Sequence, residues 1–165
     1  MMAIPATQAL WFLPFVLPLC LWVAYTDLAR MKITNKAVIA LALVFVGVGF
    51  FLMPFPDYLW RLAALAITLV VGIILNAAGA MGAGDSKFLA AAAPYVALGD
   101  LRLLMALFAA TLLAAAATHR GVRLTPLRKL APDWESWEKG KKFPMGLALG
   151  PTLAIYLIFG ALYGA

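Results

Sequence analysis

The chain has 165 residues, 65% of them apolar and 12% charged, with a mean hydropathy of +0.98. Soluble domains carry about 45–50% apolar and about 25% charged residues, so a soluble fold is excluded and an all-α membrane protein is expected, with room for at most about seven or eight spans. The single cysteine, Cys20, rules out an internal disulfide or a Cys-only zinc site, and the single histidine, His119, leaves little for a His-based metal site or a Ser-His-Asp triad.

Six apolar runs follow one another, predicting six transmembrane helices in one domain over residues 1–165. The first, about Ala6 to Tyr25, holds Pro14 and Pro18 and is expected to kink. With no Lys or Arg before Arg30 it lacks the basic start of a signal peptide and reads as a retained span. The second runs from about Ala37 to Phe55, the third from about Leu62 to Ala80 with Asn76 as its one strongly polar interior residue. The fourth, about Phe88 to Leu98, holds Pro94 and is too short to cross without its flanks. The fifth covers Leu101 to about Thr118 and the sixth about Phe143 to Tyr163, where Gly146 and Gly150 have the spacing of a close helix crossing.

With six spans, the links after the first, third and fifth lie on one side. They hold Arg30, Lys32, Lys36, Lys87, Arg120, Arg123, Arg128, Lys129, Lys139, Lys141 and Lys142, eleven of the thirteen basic residues; only Arg61 and Arg102 lie opposite. Basic loops stay on the cytoplasmic side, so these links are expected there and both termini outside. The net charge of +6 then orients the chain in a bilayer, and nucleic acid is not an expected partner. The long loop, about 119–142, mixes Leu130, Trp134 and Trp137 with charge, which suits either a segment at headgroup depth or a solvated connection.

Of five aspartates, Asp57 and Asp100 fall in outer turns and Asp133 in the charged loop, and all three read as solvated turn residues. Asp27, just after the first span, and Asp85, between the third and fourth, share the cytoplasmic side at similar depth. Carboxylates near a bilayer core are costly and mark function. Packed helices lie about 8–10 Å apart, so if these helices are neighbours the two acids can share one proton. Such a pair hydrolyses peptides: the ionised member deprotonates water, and the protonated one polarises the carbonyl. This chemistry needs no metal and no cofactor. Gly79, Gly82 and Gly84 leave bare backbone beside Asp85 against which an extended peptide could pair. The plainer reading has glycine ending one helix and Asp85 capping the next.

The string Gly82-Ala83-Gly84-Asp85-Ser86-Lys87 resembles the Gly-x-Gly-Asp-x-Lys motif of the type IV prepilin peptidases, membrane aspartic proteases. Asp27-Leu-Ala-Arg30-Met-Lys-Ile33-Thr34-Asn35 is similar to the family's first aspartate and the basic stretch ending Ile-Pro-Asn, with Thr34 for proline. Pro144-Met145-Gly146 resembles its Pro-aromatic-Gly segment, with Met145 for the aromatic. The resemblance implies that Asp27 and Asp85 are the catalytic pair, supported by Gly82, Gly84, Lys87, Arg30, Asn35, Pro144 and Gly146 as motif positions. It implies removal of a prepilin leader at the cytoplasmic face of the inner membrane. The link after Asp27, about ten residues and cysteine-free, has no room for the insert that many members use for N-methylation, so peptidase activity alone is expected. This short form resembles the peptidases of tight-adherence (Flp-type) pili and also archaeal preflagellin peptidases. Arg30 and Lys87 are expected either to hold the loops by pairing with carboxylates or carbonyls, or simply to anchor the inner face. Asp133, Glu135 and Glu138 could receive a leader's positive charge. Rival readings are a small proton- or ion-coupled transporter subunit and a non-catalytic assembly protein.

Overall fold

The computed structural model describes residues 1–138 and 143–165; Lys139, Lys141 and Lys142 of the basic loop lie outside the described residues. Six α-helices and four short 3-10 turns are present, with no strand among the described residues. The helices are α1 (Ala6–Arg30), α2 (Asn35–Leu52), α3 (Phe55–Ala77), α4 (Ala83–Ala92), α5 (Leu101–Arg123) and α6 (Gly146–Tyr163). All but α4 are long and apolar enough to cross a membrane, so the chain is an all-α, multi-pass membrane protein.

Helix boundaries differ from the hydropathy edges in ways that matter. Helix α1 stays helical through Pro14 and Pro18 and runs past Tyr25 to Arg30, because Thr26 and Asp27 are buried. Asp27 therefore sits on the last turn of α1 rather than after it, and the link to α2 is only 31–34, shorter than the expected ten or so residues. Met31 ends α1 in the left-handed conformation at φ 50°, which costs a non-glycine residue about 1–2 kcal/mol. Met31→Gly should therefore raise the melting temperature in detergent, by a gain of about 0.5–1 kcal/mol after glycine's added chain entropy; a lower melting temperature would contradict the strain. Thr34, standing where the family pattern has proline, caps α2 by accepting from the Ala37 amide at 3.4 Å.

Helix α4 begins at Ala83, earlier than expected, and stops at Ala92, where Pro94 cannot supply an amide to continue the helical ladder. Two 3-10 turns, Ala93–Tyr95 and Leu98–Asp100, carry the chain on to α5. Helices α1 and α6 form the most extensive contact of the bundle. Their close crossing, internal to the chain, depends on Gly150, where a Cβ would fall 2.5 Å from the Cys20 carbonyl oxygen. Gly150→Ala should destabilise the protein by about 1–3 kcal/mol, read as a lower melting temperature; an unchanged one would contradict the tight crossing. Beside it, Phe12, Phe45 and Tyr95 meet with ring centroids 4.8–5.6 Å apart, and the Tyr95 hydroxyl donates to the Leu41 carbonyl at 2.6 Å. These contacts tie the first 3-10 turn to α1 and α2.

At the end of the bundle away from Asp27, the expectation of a solvated Asp100 is overturned. Its carboxylate is buried and accepts from the Ala3 amide at 2.7 Å, the Ile4 amide at 3.0 Å and the Tyr156 hydroxyl at 2.8 Å. The chain termini strap together there: Met2 donates to Tyr163, Ala165 to Ile4 and Ala6 to Ala165, each at 3.0–3.1 Å. Asp57, by contrast, is exposed in the first turn of α3, as a turn residue should be. Asp100→Ala strands these donors in a buried place and should cost roughly 1–3 kcal/mol; an unchanged melting temperature would show that the knot carries no stability.

Candidate active site

The opposite end of the bundle carries Arg30, Lys87 and Arg120, and there Asp27 and Asp85 are drawn together. Asp27 is 6% exposed on the last turn of α1, and its Oδ2 accepts a 2.6 Å hydrogen bond from the amide of Gly146, the first residue of α6. A helix N-terminus offers such free amides. Glycine is required for the approach: a Cβ on residue 146 would lie 2.9 Å from the Asp27 Cβ and 3.0 Å from its Oδ2. Pro144, buried just before, leads the chain into this contact.

Asp85 is half-buried on the first turn of α4, not in the preceding link. It caps nothing with its side chain; Gly82 is the N-cap of α4, without a side-chain cap bond. A Cβ on Gly82 would sit 2.7 Å from Asp85 Oδ2, so the bare backbone beside the acid leaves it room. Gly84 faces Ile33 of the α1–α2 link, where a Cβ would come to 3.3 Å. On the other side Ser86 presses on α3, where Gly72 leaves space that a Cβ would fill to 2.9 Å, and its Oγ donates to the Gly82 carbonyl at 3.1 Å. The first turn of α4 is thus wedged between α3 and the link after α1. Asp27 and Asp85 end up close enough for the charge on one to act on the other.

The remaining motif positions form a rim. Lys87 Nζ donates to Asn35 Oδ1 at 3.2 Å, an exposed bond joining α4 to the start of α2. Lys87 therefore pairs with the side-chain carbonyl oxygen of Asn35, joining two links as a carbonyl pairing would. Arg30 is exposed in the last turn of α1, a position that complements the helix dipole. Asn76 is exposed; its Nδ2 donates to the Met81 carbonyl at 2.8 Å and closes the α3–α4 turn.

The stretch around Trp137 folds onto the protein. Trp137, expected at headgroup depth or in solvent, is 3% exposed and stacks on His119 with centroids 4.9 Å apart. Trp134 stacks on Trp137 at 5.6 Å and meets Tyr25 edge-on at 6.2 Å, two residues from Asp27. Leu130 is exposed, as are Asp133, Glu135 and Glu138.

Sequence reasoning missed the cavity beside Asp85. About 850 Å³ in volume, it is lined by α3, α4, α5 and α6 and has Gly82 and Asp85 at one end. The lone Gly72 in an apolar run was the available signal that something packs tightly there. Among the described residues no three His, Cys, Asp or Glu side chains gather to hold a metal ion.

A multi-pass helical bundle with two carboxyls at one end defines a membrane protein with a candidate acidic site. The chain matches the model of the type IV leader peptidase family over residues 14–119, and it belongs to that family. It is therefore a leader-peptidase-type protease, and the matched stretch contains both Asp27 and Asp85 while ending before Pro144 and Gly146. Neither the curated proteins nor the solved structures hold a match to it.

Proposed function

We propose that the protein is an aspartic endopeptidase that cuts the leader from type IV prepilins of the Flp kind, with Asp27 and Asp85 as its catalytic pair. The observation that supports this reading is that both lie at one end of the bundle, on the last turn of α1 and the first turn of α4, near enough for the charge of one to act on the other. Two neighbouring carboxyls retain one proton between them. The ionised one takes a proton from water as its oxygen attacks the scissile carbonyl, while the protonated one donates a hydrogen bond to that carbonyl's oxygen. Collapse of the tetrahedral intermediate breaks the C–N bond as a carboxyl proton passes to the leaving amine. The Gly146 amide, bonded to Asp27 Oδ2, stabilises that carboxylate and leaves Oδ1 for water. Asp27 is therefore the better placed base and Asp85 the better placed acid.

The concentration of basic residues at this end supports a site facing the cytoplasm, with both termini outside the inner membrane. A link of four residues between α1 and α2 supports proteolysis without N-methylation. Purified protein incubated with a full-length prepilin and a methyl donor tests the whole reading by mass spectrometry. The expected products are the free leader and an unmethylated mature chain. No cleavage, or a methylated product, would contradict it.

A further inference from the structure

His119 is the chain's one histidine, and nothing in the proposed chemistry uses it. It lies buried near the end of α5, and its Nε2 has no hydrogen-bond partner among the described residues. A buried polar atom left unpaired is costly, so the ring is held in place by something other than that nitrogen. Other rings hold it. Trp137 stacks on it with centroids 4.9 Å apart and planes 15° from parallel, and Phe143 meets it edge-on at 6.1 Å. Aromatic pairs favour such geometries at about 4.5–7 Å. Trp137 is fixed in turn by its Nε1, which donates to the Ala131 carbonyl at 2.8 Å, and by Trp134, which reaches Tyr25 of α1. A row of rings thus runs from Tyr25 on α1, through the loop and His119 on α5, to Phe143, just before Pro144 and Gly146.

We propose that His119 is a positioning residue for cleavage: through Trp137 and Phe143 it clasps the chain that enters α6, and so keeps the Gly146 amide on Asp27. The inference rests on the peptidase reading above. Three observations carry it. Helix α6 has no side-chain cap of its own, since its N-cap is Met145. The Gly146 amide, bonded to Asp27 Oδ2 at 2.6 Å, therefore depends on whatever fixes the chain just before it. Phe143 is fixed there by His119, and Pro144, with its φ locked, passes that placement on. Next, Trp137 and Phe143 meet the same ring, so the end of the loop and the approach to α6 are pinned together at one point. Finally, the row closes on itself. Tyr25 and Asp27 both belong to the last two turns of α1, so this helix carries one end of the row and also the acid that the other end positions. A loosened clasp lets the start of α6 drift from α1, and Asp27 loses its donor while no substrate contact changes.

Two substitutions at one position test this. His119→Leu keeps an apolar side chain of similar size but has no ring, whereas His119→Phe keeps a ring and has no nitrogen. In detergent with a full-length prepilin, His119→Leu should lower kcat about tenfold or more and leave KM within about twofold, because a small displacement of a reacting group slows the chemical step without weakening binding. His119→Phe should keep kcat within about threefold of wild type, since the ring contacts survive. Asp100→Ala, which removes the buried acceptor at the far end of the bundle, is the control for general loss of stability and should keep its kcat below its own melting transition. The Gly146 amide proton, followed by NMR of glycine-labelled protein, reads the clasp without turnover. It should move upfield in His119→Leu, as its hydrogen bond lengthens, and stay in place in His119→Phe. An inactive His119→Phe, an unchanged kcat in His119→Leu, an equal loss in Asp100→Ala or an unmoved amide proton in His119→Leu would overturn the clasp. Failure of the wild type to cut the prepilin would overturn the peptidase reading instead, and the amide proton would still decide whether His119 holds Gly146 on Asp27.

Discussion

Replacing either Asp27 or Asp85 with asparagine is expected to reduce leader cleavage by about 10²–10⁴-fold, the range for loss of a positioned general acid or base. Asparagine keeps the size of the side chain and, at position 27, still accepts the Gly146 amide bond seen at 2.6 Å. The fold should thus survive, and the variants should insert and melt like the wild type. What is lost is the proton that the pair shares, so the two single variants and the double variant should be about equally inactive, as residues acting as a unit are. Cleavage by either variant within a few-fold of wild type would remove that residue from the chemistry and leave the pair reading without support.

Gly146→Ala comes second in expected effect, although it removes no chemical group. The added methyl would stand 2.9 Å from the Asp27 Cβ and 3.0 Å from its Oδ2, so either α6 or the carboxyl must move. A displacement near 1 Å at a reacting group costs on the order of 10²-fold in rate. The loss should fall mainly on kcat, because the amide–carboxylate bond would fix the proposed base rather than the substrate. It should exceed the loss from Gly150→Ala, whose clash with the Cys20 carbonyl strains the same helix pair farther from the acids. The reverse order, with Gly150→Ala more damaging to kcat, would mean that α6 matters only as scaffold.

Six apolar stretches and a one-sided distribution of basic residues were readable because a bilayer penalises charge so steeply. The two candidate acids stood out for the same reason, and Gly79, Gly82 and Gly84 marked bare backbone beside Asp85. Helix ends were read less well. Hydropathy marks where lipid contact stops, whereas α1 continues through Thr26 and Asp27 because they are buried within the protein. Asp100 looked like any turn aspartate, since its donors are the amides of Ala3 and Ile4 and the Tyr156 hydroxyl, remote in the chain and carrying no local pattern. Trp137 was misplaced because the chain's return onto His119 is a tertiary event. The cavity beside Asp85 was invisible for a related reason. It is made by what α4 lacks after Ala92, and only the placement of α3 and α5 turns that shortfall into a space.

The most direct measurement is the pH dependence of kcat/KM for prepilin cleavage by the purified wild type. The mechanism needs one carboxyl ionised and the other protonated. Activity must therefore fall on the acid side as the base gains its proton, and on the alkaline side as the acid loses its own. A bell-shaped profile, with the melting temperature constant across it, is the predicted result. A rate that climbs without a downturn towards alkaline pH would contradict the shared proton and point to a single base working alone.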